Sequence, residues 1–145
     1  MIKEEMQAMQ TNYHDEKGNI RKELLNQEAE KQANGLIVKR YDRRRQQEVV
    51  DDKKSVSSTQ LRRFYNEFKG LEKRIRAKDF ESVLPLIKMV RSRAFYASNG
   101  NKIPRSFKDF LVKNVEAINK KKDFDAFLLH FEAVVGFCYG MGLKK

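Results

Sequence analysis

Ser57-Ser58-Thr59-Gln60-Leu61-Arg62-Arg63-Phe64-Tyr65-Asn66-Glu67-Phe68-Lys69-Gly70-Leu71-Glu72-Lys73-Arg74-Ile75 carries a helix start signal followed by one repeating apolar stripe. Ser57 stands as N-cap with Gln60 three residues on, the spacing of a capping box, in which two otherwise orphan amides find acceptors. Val56 and Leu61 flank it as a hydrophobic staple. Leu61, Phe64, Tyr65, Phe68, Leu71 and Ile75 then recur at helical spacing and form a single apolar face. Gly70 costs that helix on the order of 1 kcal/mol against alanine, which burial of the stripe offsets.

Downstream, the same period recurs in three further stretches. From Asp79 to Ala97, Phe80, Val83, Leu84, Ile87, Val90, Ala94 and Ala97 make a broad apolar face, which predicts the most central helix. Pro85 in its second turn predicts a bend or a delayed start, and Asn99-Gly100-Asn101 predicts its end. A third helix opens near Pro104, a residue suited to the first turn, with Phe107, Phe110, Leu111, Val115 and Ile118 inward. Lys120-Lys121-Lys122 reads as a solvated connection. A fourth helix starts at Asp123 as N-cap, buries Phe124, Phe127, Leu128, Phe131, Val135 and Cys138, and ends near Gly140 and Gly142. Amphipathic helices joined by short connections pack as a bundle. The predicted fold is therefore all-α, a compact bundle of four main helices plus an N-terminal helical extension.

Upstream the signals weaken. Ile2, Met6 and Met9 suit a short helix, Asp15–Asn19 a turn, and Ile20–Ala33 a helix that Gly35 interrupts. Tyr41–Gln47 contains Arg43-Arg44-Arg45, and Asp51–Ser58 reads as a polar linker. With two aromatics, this part builds no core of its own. The expected organisation is residues 1–57 as an extension, partly helical and partly mobile, and residues 58–145 as a basic helical bundle.

Charge follows the same division. All ten phenylalanines lie between Phe64 and Phe137. From Ser58 to Lys145, 19 Lys and Arg face 9 Asp and Glu, whereas the first 57 residues carry 12 against 11. A folded body with unbalanced cations points to a polyanionic partner. No apolar run approaches the roughly 18–20 residues of a membrane span. The opening Met1-Ile2-Lys3-Glu4-Glu5-Met6 is acidic, unlike a secretory signal. Lone Cys138 suits a reducing cytoplasm.

The residues of common chemistries are scarce. Two histidines and one cysteine do not furnish the four ligands of a structural zinc. His130 has no base or nucleophile near it in sequence and reads as packed or surface. Cys138 reads as a small core hydrophobe. No phosphate-cradling GxxxxGK or GxGxxG loop occurs. Asp51-Asp52 reads as solvated, and Glu132 as a partner for a cation on the helix surface or on a neighbouring chain. The expectation is a chain without cofactor, metal or catalytic residues, and the enzyme reading is poor.

Cations, by contrast, recur beside the apolar seams. Arg62 and Arg63 follow Leu61, and Lys69 extends the line of Arg62 at i+7. Lys88 and Arg91 are neighbours on the second helix, Arg93 lies on its other flank, and Lys102 and Arg105 follow its end. If the two helices pack side by side, these cations form one groove for a phosphate backbone, to which guanidinium forks donate two bonds at once. A basic run is ordinarily the wet face of a helix. Here, between Arg62 and Arg105, Glu67, Glu72, Asp79 and Glu81 are the intervening acids. Tyr65, Phe95 and Tyr96 suit stacking on bases, although aromatics at this spacing are more often core.

Three segments together resemble one family. Ser58-Thr59-Gln60-Leu61-Arg62-Arg63, Met89-Val90-Arg91-Ser92-Arg93-Ala94-Phe95-Tyr96-Ala97 and Phe127-Leu128-Leu129-His130-Phe131-Glu132-Ala133-Val134-Val135-Gly136-Phe137 are similar in order and spacing to the small subunit of type III-A CRISPR–Cas (Csm) effector complexes. The resemblance spans roughly Val56 to Gly142. It implies an all-helical, non-catalytic subunit of an antiviral ribonucleoprotein, stacked in several copies. Such a subunit lines the groove where guide RNA pairs with target RNA, contacting backbone rather than reading sequence. It packs against the repeated backbone subunits and the large nuclease/cyclase subunit. Arg62, Arg63 and Arg91 match basic positions of these segments. The chain departs where the family commonly shows Gly-Arg soon after the tyrosine. Ser98-Asn99-Gly100-Asn101-Lys102 is longer and leaves Lys102 as the nearest cation.

Two other classes compete. A helix-turn-helix DNA-binding regulator fits the short third connection, but Phe124–Cys138 is too apolar for a recognition helix. A small nuclease ranks third.

Overall fold

The computed structural model describes residues 12–145, and the helix expected around Ile2, Met6 and Met9 lies outside them. The chain is 65% helical, and its strands form one small two-stranded sheet. A 3-10 turn at Lys22–Leu25 precedes helix α1 (Gln27–Leu36). A hairpin of β1 (Lys39–Asp42) and β2 (Gln47–Val50) follows. Then come α2 (Ser58–Ala77), α3 (Phe80–Asn99), α4 (Arg105–Ala117) and α5 (Lys121–Gly140).

Helix α2 begins where its sequence dictates, with half of the expected capping box. The Ser57 hydroxyl accepts the Gln60 amide at 3.2 Å, the Gln60 side chain makes no return bond to the Ser57 amide, and the staple pair Val56 and Leu61 is fully buried. Asp79 caps α3 in the same manner, accepting the Ser82 amide at 2.8 Å. Pro85 does not delay α3, which runs unbroken from Phe80 with the ring exposed to solvent. Proline removes a single amide, and the water at that exposed turn solvates the carbonyl it would have served.

Helix α5 departs most from expectation. It starts at Lys121, so the three lysines form its cap and first turn rather than a connection. Asp123 sits at the third helical position and reaches back to the amides of Asn119 and Lys120 at 3.2 and 3.1 Å. This carboxylate also meets the positive end of the helix dipole.

The core is centred on α5, not on the second of the predicted helices. Phe124, Phe127, Phe131, Val134 and Cys138 are fully buried on the side towards α2 and α4. Phe68 of α2 lies 4.8 Å from Phe127, and Phe110 of α4 lies 5.2 Å from Phe131, both edge to face. Such pairs each contribute about 0.5–1.5 kcal/mol beyond area burial. The adjoining side of α5, with Ala126 and His130, is buried as well, because the 3-10 turn and α1 pack there. Ala29 and Ala33 on α1 are small enough to allow that close approach. The neutral imidazole of His130 donates from Nδ1 to the Leu24 carbonyl at 2.6 Å, and burial holds its pKa below the ordinary histidine value. Helix α3, by contrast, leaves Met89, Phe95 and Tyr96 exposed.

Residues 12–57 share this core. Tyr13 is buried, and its hydroxyl donates to Asn114 Oδ1 at 2.8 Å, while Asn114 Nδ2 donates to the Phe110 carbonyl at 2.8 Å. Asp15 organises the turn through Asn19. The helix expected over Ile20–Ala33 breaks at Asn26, and Gly35 lies inside the last turn of α1 instead of interrupting it. The stretch read as a polar linker holds Ser55 and Val56 inside. Ser55 Oγ accepts the Val38 amide at 2.8 Å, and the Val56 amide donates to Leu36 at 3.0 Å. The hairpin arises because Lys39–Asp42 pairs antiparallel with Gln47–Val50, with Gln46 in the left-handed region at φ 53°.

Candidate nucleic-acid interface

Adjacent helical residues are about 100° apart, so Arg62 and Arg63 fall on opposite flanks of the buried stripe of α2. Arg62 faces α5, its guanidinium 5.7 Å from the Tyr139 ring centroid. Lys69 shares that flank and pairs with Glu72 at 2.8 Å, a bond that raises the ammonium pKa. Arg63 lies one turn before Glu67, and Glu67 forms an ion pair with Arg93 of α3. Arg63 and Arg93 therefore border the seam between α2 and α3.

Helix α3 sends its remaining cations towards α4. The Lys88 ammonium turns inward and donates to the Val115 carbonyl at 2.8 Å and to Asn119 Oδ1 at 3.3 Å. It satisfies orphan carbonyls at the α4 C-terminus, where a cation also meets the negative dipole end. Burial lowers its pKa, opposed by Glu116 and Asp123. Arg91 pairs with Glu116 at 3.2 Å and stands 4.8 Å above the Phe95 ring, with Lys108 4.9 Å from the same ring. Lys102 and Arg105 are exposed where α3 gives way to α4. Lys102 hangs from a tight reversal after α3: its amide bonds back to Ala97 at 2.9 Å, and Asn101 adopts φ 58°.

The eight cations therefore border three seams, and the seam between α2 and α3 gathers Arg63 and Arg93 alone. The expectation of cations without local counter-ions also divides. Among the described residues, Arg62, Arg63, Lys102 and Arg105 have no carboxylate within ion-pair distance, whereas Lys69, Arg91 and Arg93 each have one. Glu116 lies beyond the stretch in which acids looked scarce, and Glu67 is brought to Arg93 by packing. Of the aromatics, Tyr65 packs edge-on against Phe131 at 5.4 Å, Phe95 lies between two cations, and Tyr96 is 80% exposed.

Sequence reasoning left two groups of cations outside the site: Arg40 and Arg43–Arg45 on the hairpin, and Lys144 and Lys145 after α5. The run Arg43-Arg44-Arg45 was the visible signal. Other chemistries find little footing. Among the described residues, no group of three or more His, Cys, Asp and Glu is placed to hold a metal, and no helix is long and apolar enough to cross a membrane. Burial raises the Cys138 thiol to about 12, which leaves it protonated. The face that helix α5 leaves to solvent carries Leu129, Glu132 and Gly136, with no cation over its middle, which does not suit insertion into a DNA groove.

No curated protein and no solved structure matches the chain. The profile of the Csm2 Type III-A family matches residues 21–139, which includes the hairpin and all five α-helices save the last residue of α5. The chain belongs to that family, the small structural subunit of the type III-A CRISPR–Cas Csm complex.

Proposed function

We propose that the chain is a non-catalytic, cytoplasmic subunit of an RNA-guided interference particle that lines the groove holding guide and target RNA by contacting backbone phosphates. Beside it lie further copies of itself, the repeated backbone subunits and the large nuclease/cyclase subunit. Family membership supports the assembly. The observation that carries the RNA contact is that, of the eight cations chosen from the sequence, Arg62, Arg63, Lys102 and Arg105 stand exposed without a carboxylate partner among the described residues. Arg91, Arg93 and Lys69 join them by exchanging a carboxylate for a phosphate, and Lys88 acts mainly by holding α3 to α4.

Phosphate neutralisation makes binding salt-sensitive and nearly independent of sequence. Filter binding with Arg62, Arg63 and Arg91 changed to Glu tests the contact. A large loss of RNA affinity is expected, and unchanged affinity in a folded triple variant refutes it. Purification from the native host tests the assembly, with a stoichiometric multi-protein particle carrying a discrete short RNA as the expected result. No structural observation favours the DNA-binding regulator.

A further inference from the structure

Four arginines crowd the hairpin, Arg40 on β1 and Arg43, Arg44 and Arg45 in its connection. The acids within it are Asp42 and Glu48. Asp42 is committed: one carboxylate oxygen accepts the Arg44 amide at 2.9 Å and the other lies 3.9 Å from the Arg45 guanidinium. Among the described residues, Arg40, Arg43 and Arg44 have no carboxylate within ion-pair distance. Tyr41 stands among them, 60% exposed.

The hairpin does not stand alone. With the tail after α5 it encloses a groove of about 360 Å³ bordered by Lys39, Arg40, Arg45 and Lys144. Asp42, Glu48 and Asp52 border it too, so the cations without local acids are those of the hairpin connection, Arg43 and Arg44, and of the tail, Lys144 and Lys145. Beside the tail, Lys145 and Arg62 stand over the Tyr139 ring at 5.9 and 5.7 Å. Cations far apart in sequence thus meet at one end of the molecule.

We propose that this basic end, with the hairpin at its centre, is a further phosphate-contacting surface whose ligand is single-stranded RNA. The proposal rests on the reading of the chain as an RNA-contacting subunit. Guanidinium forks take phosphate oxygens two at a time, and an exposed tyrosine offers a face to an unstacked base, which a duplex does not present. An acidic protein fits less well, because protein contacts of ordinary size bury an apolar centre. Among the described residues, Tyr41 is the one large apolar side chain exposed on the hairpin.

The test is fluorescence anisotropy of the full chain with a labelled oligouridine of about 20 nucleotides, from about 50 to 200 mM salt. Changing Arg40, Arg43 and Arg44 together to Gln should lower the salt slope by about 2, since each single-strand phosphate contact contributes about 0.7. Tyr41→Ala should weaken binding about 5- to 150-fold with the slope unchanged. A control that removes the same charge from Lys17, Lys22 and Lys31 should leave the slope near wild type. A hairpin variant indistinguishable from that control overturns the proposal. If Arg63, Lys102 and Arg105 to Gln still weakens binding in that case, the RNA-contacting reading survives alone. A wild-type chain that does not bind overturns both. A preference for polyglutamate over oligouridine assigns the basic end to an acidic protein and likewise overturns the proposal.

Discussion

Changing Glu67 and Glu116 together to Gln separates cations that are free for phosphate from cations that are already engaged. Glu67 holds Arg93, and Glu116 holds Arg91 at 3.2 Å; all four side chains are at least partly solvated. Such surface pairs contribute about 0.2–1 kcal/mol each, so losing both should change stability by no more than about 2 kcal/mol. In RNA binding the same energy opposes the ligand, because each guanidinium must leave its carboxylate first. Releasing both corresponds to about 0.4–2 kcal/mol, an affinity gain of about 2- to 30-fold, since 1.4 kcal/mol is tenfold. Removing two negative charges near a polyanion adds to that gain and increases the salt dependence. The converse variants should follow the same order, with Arg63→Gln costing more affinity than Arg93→Gln. The assay is anisotropy with labelled single-stranded RNA at two salt concentrations, with helicity monitored by circular dichroism. Affinity at or below wild type in the folded double variant, or equal losses for Arg63→Gln and Arg93→Gln, refutes the reasoning.

Three further outcomes concern the fold. Tyr13→Phe leaves Asn114 Oδ1 without its donor in a buried site and should cost about 1–3 kcal/mol in urea unfolding; no change would mean that the N-terminal segment is not part of the cooperative unit. Gly70→Ala, at an exposed position of α2 where a Cβ meets nothing within 4 Å, should stabilise by about 0.5–1 kcal/mol and raise the melting temperature. Burial lowers the pKa of His130 in the fold, so the unfolded chain binds its proton first. Stability should therefore fall as pH drops below about 6.5, by at most about 1.4 kcal/mol per pH unit from this group. His130→Gln should flatten that part of the profile, and an unaltered slope would assign it elsewhere.

Helix positions were legible because burial imposes a period that charge does not disguise. Leu61, Phe64, Phe68, Leu71 and Ile75 are buried as their spacing requires. The start of α5 was obscured because Asp123 satisfies amides of residues before it from the third helical position, where an aspartate resembles an N-cap. The centrality of α5 was hidden for a different reason. Its second buried face is made of Ala126 and His130, a small residue and a polar one, which add little to an apolar stripe. The hairpin has only Val49 and Val50 as an apolar signal within β2, and its pairing depends on a reversal at Gln46 that propensity disfavours. Counter-ions were the least legible feature. Arg91 and Glu116 are 25 residues apart, and they meet because α3 and α4 pack together.

The position of α5 also bears on how the chain presents charge. A helix buried on two sides must be mostly apolar, and α5 carries its lysines in the first turn, away from its middle. The cations are consequently carried by the surrounding elements, α2, α3, α4 and the hairpin, and each seam between neighbours brings acids to some of them. Pairing removes Lys69, Arg91 and Arg93 from the uncompensated set. Of the eight sequence-selected cations, Arg62 and Arg63 on α2 and Lys102 and Arg105 at the α3–α4 turn are left, and Arg62 lies near the hairpin and the C-terminal lysines. A surface built this way offers a few separated cationic anchors rather than one continuous groove. Neutralising the anchors in separate groups should therefore give nearly additive losses in log affinity, whereas a single groove would show strong coupling between them.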